Sequence, residues 1–92
     1  MPKILVYGRY VLFFWVSENG EPVHVHVAVK RPASDSTKFW LTKSGGCILA
    51  GNGSDIPERD LRDLKKLVIL NHSYIVSKWA EHFGQDSISF YC

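Results

Sequence analysis

"GEPVHVHVAV", residues 20–29, decides how the rest of the chain is read. Valine recurs at positions 23, 25, 27 and 29, with His24, His26 and Ala28 between. A period of two is that of a β-strand, whose successive side chains point to opposite faces. The valine face therefore predicts a dry side packed on a helix. The other face carries His24, His26, Ala28 and Lys30. Its two imidazoles are same-face neighbours, about 7 Å apart along the strand, and both are expected to turn outward. Such a pair can ligate one metal or hold one phosphate. It can equally be the polar dressing of a half-buried strand, and both readings stay open at this point.

Working outward, breaks rich in Gly, Pro, Ser, Asn and Asp fall at 17–22, 31–36, 43–46 and 51–55. Between them lie short β-branched and aromatic runs. Tyr10–Val16, "YVLFFWV", is the strongest strand, and Val23–Val29 follows a loop holding the hairpin signal Asn19-Gly20. Lys38–Thr42 and Cys47–Ala50 complete four strands, with Ile4–Tyr7 a short further candidate. The order and turn spacing predict a mostly antiparallel meander.

After Asp55 the period changes. Asp55 and Glu58 have capping-box spacing, and Pro57 suits a first helical turn. Leu61, Leu64, Val68, Ile75, Trp79 and Phe83 fall on one helical face, which Leu67, Leu70 and Tyr74 widen. A continuous helix of about 26 residues, ending at Phe83, would be roughly 39 Å long. "NHS" (71–73) is the place for a bend, and one long helix bent there is favoured over two short ones. Gly84 is a natural stop. The alternating tail "SISFYC" (87–92) fits an added edge strand. The fold class is thus α+β: a four-stranded, mostly antiparallel sheet packed on one long C-terminal helix, as a single domain over 1–92.

Composition narrows the function classes. At 46% hydrophobic and 13% aromatic, the chain is globular rather than disordered. A domain this small has a thin core that a homodimer would relieve. Residues 1–54 carry six Lys/Arg against three Asp/Glu, and residues 55–92 five against six. A mildly basic first half permits RNA or phosphate binding without demanding it. No apolar run is long enough for a membrane span, no secretory signal stands at the N-terminus, and Cys47 and Cys92 read as reduced thiols in the cytoplasm.

Chemical motifs are few. No P-loop, GxGxxG or HExxH pattern occurs. No spacing joins His72, His82, Glu21 or the cysteines to His24 and His26, so neither a metal nor another cofactor is expected. His72 and His82 are expected on the helix surface. Cys47 follows "KSGG" but opens no helix that would lower its pKa, and reads as a small buried residue. No residue is marked as catalytic. The aromatics Tyr7, Tyr10, Phe13, Phe14, Trp15, Phe39 and Trp40 lie among Lys3, Arg9, Lys38 and Lys43. Adjacent rings on one strand cannot all face one helix, so Trp15 or Phe14, with Trp40, must lie on the histidine face. That face needs a cover: a partner, a second copy or a ligand.

The order "GRYVLFFWVSENGEPVHVHVAV" (8–29), "KFWLTKSG" (38–45), "IPERDLRDL" (56–64) and "SKWAEHF" (77–83) resembles the small bacterial family catalogued as domain of unknown function 4160. Its central motif is similar to E-P-P-H-[IV]-H-V. Glu21, Pro22, His24, Val25, His26 and Val27 match it, while Val23 stands where the second proline would be. Phe39, Trp40 and Leu41 match the family's "AKFWL" strand, and Trp79 and Phe83 its helix-end aromatics. The likeness spans roughly residues 2–83. It implies a protein similar in size and arrangement to toxin–antitoxin components, and it raises interest in His24 and His26 without supplying chemistry for them.

The expected function is therefore a small cytosolic bacterial binding or interaction protein, a toxin–antitoxin-like component. Its site is His24, His26, Trp40, Lys43 and Trp15, and its partner another protein or a second copy. The alternatives are an RNA-directed protein, such as a small ribonuclease-like toxin using a histidine as acid or base, and a binder of a small anionic ligand such as a nucleotide.

Overall fold

The computed structural model describes residues 3–15, 20–33 and 35–92. Val16, the expected end of the second strand, and Asn19 of the hairpin signal lie outside them. Among the described residues five strands, rather than four, form one sheet: β1 (Lys3–Tyr7), β2 (Tyr10–Phe13), β3 (His24–Val29), β4 (Thr37–Leu41) and β5 (Cys47–Asn52). Neighbours in sequence are neighbours in space and every pairing is antiparallel, so the predicted meander is present. The additional strand is the short "KILVY" run. Tyr7 pairs with Tyr10 across the two-residue loop Gly8-Arg9. Gly8 sits at φ 59°, the left-handed conformation that the first position of such a hairpin loop reserves for glycine.

Two helices follow, rather than one: α1 (Glu58–Leu70) and α2 (His72–Phe83). A single rod of roughly 39 Å would overrun a molecule whose longest axis is 34 Å. Asn71 makes the break. Its backbone N–H and its side-chain amide both donate to the Leu67 carbonyl, and its own carbonyl accepts from Ile75 N–H. The break also explains a second departure. Leu70 and Tyr74, expected to widen the apolar stripe, flank the turn and face solvent, Leu70 with 83% of its surface exposed.

The predicted capping box is absent. Asp55 lies in a left-handed turn at φ 53°, and Pro57 precedes the helix with no side-chain cap. Asn52 guides the chain into α1 instead. Its Oδ1 accepts from Ile56 N–H and from Thr37 Oγ1, and its Nδ2 donates to the Ile56 carbonyl. Tyr10 then pins the helix, its hydroxyl donating to Asp60 Oδ2. Both partners are held by Arg9, whose guanidinium lies 3.3 Å from the phenol oxygen and 3.6 Å from the carboxylate.

The core sits between one sheet face and both helices. Val23, Val25, Val27, Leu12, Phe14, Phe39 and Leu41 meet Leu64, Val68, Ile75 and Trp79 there, with Leu61 and Phe83 at its margin. The valine face thus packs on the predicted helical stripe, except for Val29, which is exposed at the end of β3. The tail adds no strand. A short 3₁₀ turn (Gln85–Ser87) after Gly84 sends it across the strand ends, where Val23 N–H donates to the Ser89 carbonyl and Lys43 N–H to that of Cys92. Among the described residues, no helix is long and apolar enough to cross a membrane.

Candidate functional site

His24 and His26 share a sheet face, as alternation along β3 requires, and their ring centroids lie 4.9 Å apart. They do not turn outward into solvent. His24 is 0% exposed and His26 7% exposed. The expectation of a wet outer face fails because aromatic side chains close over it. His24 begins β3, and there its ring meets Trp79 of α2 at 5.1 Å and Trp40 of β4 at 5.4 Å. His26 stacks on Phe13 at 5.4 Å and lies 6.2 Å from Trp15. Trp15 in turn meets Phe13 edge-on at 5.1 Å. Phe13, Val11 and Ala28 are as buried as the residues under the helices, yet lie outside that cluster. The sheet therefore has two dry faces.

A buried imidazole is stable when neutral and hydrogen-bonded. His24 Nδ1 lies 2.9 Å from the Pro22 carbonyl, which can only accept, so Nδ1 carries the proton. His26 Nδ1 shares a 3.3 Å hydrogen bond with Ser36 Oγ. These contacts give the E-P-x-H-V-H-V run a physical reading. Pro22 supplies the acceptor that makes His24 tolerable inside. Glu21 reaches across to Lys38 Nζ at 2.7 Å, and the valines fill the opposite face.

The ring contacts form one ladder: Trp15, Phe13, His26, His24, Trp40 and finally Tyr91 of the tail. Its outer end is open. Tyr91 stacks on Trp40 at 5.2 Å with planes 6° apart and is 59% exposed. Ile48, cross-strand partner of Trp40, is exposed beside them. The Lys38 ammonium stands 4.0 Å from the Trp40 ring centre. Lys43, on the β4–β5 turn, is tied through its backbone to Cys92, next to Tyr91. Of the five residues expected from the sequence, His24 and His26 are thus interior, Trp40 is half-buried at the open end, Lys43 borders it, and Trp15 lies at the far end of the ladder. Tyr91, Glu21 and Ile48 are additional members. Only the alternation of "SISFYC" hints at Tyr91, because nothing local says where a tail crosses a sheet.

Other reactive groups lie elsewhere. His72 is half-buried rather than on the surface, donating from Nε2 to the Thr42 carbonyl at 2.7 Å. His82 is exposed, edge-on to Phe14. Cys47 is buried and its thiol donates to the Lys65 carbonyl. Burial pushes that thiol above its ordinary 9.0, and the charge of Lys65 only partly offsets the effect. Among the described residues, no group of three or more His, Cys, Asp or Glu gathers to hold a metal ion.

The family model described as "Domain of unknown function (DUF4160)" matches residues 9–80, from the first hairpin to the last turn of α2. No curated protein matches the chain, and no solved structure does.

Proposed function

The chain belongs to the DUF4160 family, and on that premise we propose that it is a small interaction module that docks another protein through the open end of its aromatic ladder. The observation that carries this reading is the Trp40–Tyr91–Ile48 patch bordered by the Lys38–Glu21 ion pair. Interfaces are built this way, with aromatic anchors at the centre and charge at the rim, and Trp and Tyr are the commonest hot spots. Burial of both imidazoles favours binding over acid–base cleavage of RNA, because a general acid must touch the atom it protonates. Glu21 beside Lys38 favours a protein over a small anion, since the nearest cation already has its counter-charge. His24 and His26 then act as the rigid floor under the patch.

We read the module as one half of a toxin–antitoxin-like pair in a bacterial cytoplasm. The free thiols of Cys47 and Cys92 support a reducing compartment, and the exposed aromatic patch supports a protein partner. The test is affinity capture from the native host with wild type, Trp40→Ala and Tyr91→Ala, followed by reconstitution of the captured protein with purified components. A truncated hot spot costs at least about 2 kcal/mol, so each variant should bind about thirtyfold more weakly. A reconstituted complex indifferent to both substitutions would exclude this patch.

A further inference from the structure

A second surface lies at the opposite margin of the β4–β5 hairpin from the ladder's rings, between β5 and α1. β5 is an edge strand, and among the described residues it is laddered to β4 alone. Sheet edges are normally guarded by charged residues, proline or a β-bulge. β5 reads "CILAGN", with no charge and no proline, and its bulge at Ala50 leaves Cys47–Leu49 unguarded. Ile48, Leu49, Ala50 and Gly51 are all exposed. Beside this edge runs a groove of about 430 Å³, floored by Phe39, Leu49, Ile56 and Leu61 and walled by Arg62 and Lys65 of α1. Glu58 is the single acidic residue lining it among the described residues.

We propose that this edge and groove take an extended acidic segment of a partner protein, added to the sheet as a sixth strand. Strand addition supplies the backbone hydrogen bonds, and alternate side chains supply specificity. On the helix side the segment lays an apolar side chain over Leu49 and Leu61. Two residues along, where alternation returns to the same face, it presents a carboxylate to Arg62 and Lys65. Two observations favour a short peptide over a second copy of this chain. Ala50 is skipped in the pairing of β4 with β5, Lys38 facing Gly51 and Phe39 facing Leu49. This bulge leaves a straight edge only over Cys47–Leu49. A two-fold β5–β5 contact would also turn the Arg62 and Lys65 wall toward its own copy, like charge against like. The groove beside Leu49 and Leu61 involves neither Trp40 nor Tyr91; the edge shares only Ile48 with that patch.

The test is selection of a displayed library of random twelve-residue peptides on the intact protein, followed by amide NMR titration and affinity measurement with the enriched peptides. The expected peptides alternate apolar and acidic residues, and they shift the amides of Cys47–Asn52 and of Leu61–Lys65. Their affinity should fall about tenfold in Arg62→Glu/Lys65→Glu and fall with added salt. Both residues are exposed helix positions where glutamate is a good helix former, and a thermal melt verifies that the double variant is folded. Tyr91→Ala should bind these peptides as wild type does, so the two surfaces fail separately. No enriched peptide, peptides whose shifts fall around Trp40 and Tyr91, or binding unchanged by the double variant would each overturn the proposal. So would a concentration-dependent dimer protecting the β5 amides, which would assign the edge to a second copy.

Discussion

Replacing His24 with alanine should cost the domain a large part of its stability, and the size follows from what surrounds the ring. The imidazole is wholly buried and in contact with His26, Trp40 and Trp79. Truncating a core side chain that cannot be replaced by its neighbours costs about 2–4 kcal/mol. The Pro22 carbonyl also loses its donor, which adds about 1 kcal/mol. The sum is about 3–5 kcal/mol, against a total of about 5–15 kcal/mol for an ordinary domain. At about 4–8 °C per kcal/mol for a domain of this size, the melting temperature should fall by at least about 12 °C. Urea unfolding followed by tryptophan fluorescence measures this directly, because Trp40 and Trp79 touch the substituted ring. His82→Ala is the internal comparison: an exposed histidine should change stability by no more than about 0.5 kcal/mol. If His24→Ala matched His82→Ala, the buried histidine floor would be refuted.

Tyr10→Phe should destabilise by about 1–2 kcal/mol, the value of a hydrogen bond to a carboxylate partly open to solvent. Burial first, and then the Asp60 carboxylate, raises the Tyr10 phenol above its ordinary 10.0. The folded state then holds that proton more tightly than the unfolded chain, so this contribution is intact below pH 10 and declines as pH rises above it; the gap between wild type and Tyr10→Phe in urea midpoints should narrow above pH 10. Gly53→Ala should cost at least about 1–3 kcal/mol by overpacking, because a Cβ there would stand 1.7 Å from the Asp35 carbonyl oxygen; a thermal melt unchanged from wild type would contradict this packing. Iodoacetamide near pH 8 should alkylate exposed Cys92 and leave Cys47 untouched until urea is added, as mass spectrometry of the two cysteine peptides would show.

The β3 alternation and the helical stripe were legible because each is a local period that one buried face enforces. Val23, Val25 and Val27 meet Leu64, Val68, Ile75 and Trp79 as that pattern requires. The alternation also placed His24 and His26 together. It could not say whether their face was wet, since that depends on Trp40, Trp79 and the tail, which are remote in sequence. The helix break at Asn71 was visible as a candidate, but the choice of two helices over one bent rod takes the Asn71–Leu67 and Ile75–Asn71 hydrogen bonds, which only the fold shows. The missing capping box shows the limit of a spacing rule: Asp55 had the right interval to Glu58, and a left-handed turn took it out of position. Of the open patch, Trp40 was readable as a ring that the helices could not cover. Tyr91 was not, because only the folded tail brings it there.

The most direct measurement is the accessibility of the imidazoles in the native protein. Brief treatment with diethyl pyrocarbonate, read residue by residue by mass spectrometry, should modify His82 and leave His24 and His26 intact, with all three reacting once the chain is unfolded in urea. Modification of His24 in the folded protein at the rate of His82 would mean that the ring is open to solvent, and the account of a closed histidine floor beneath the Trp40–Tyr91 patch would be wrong.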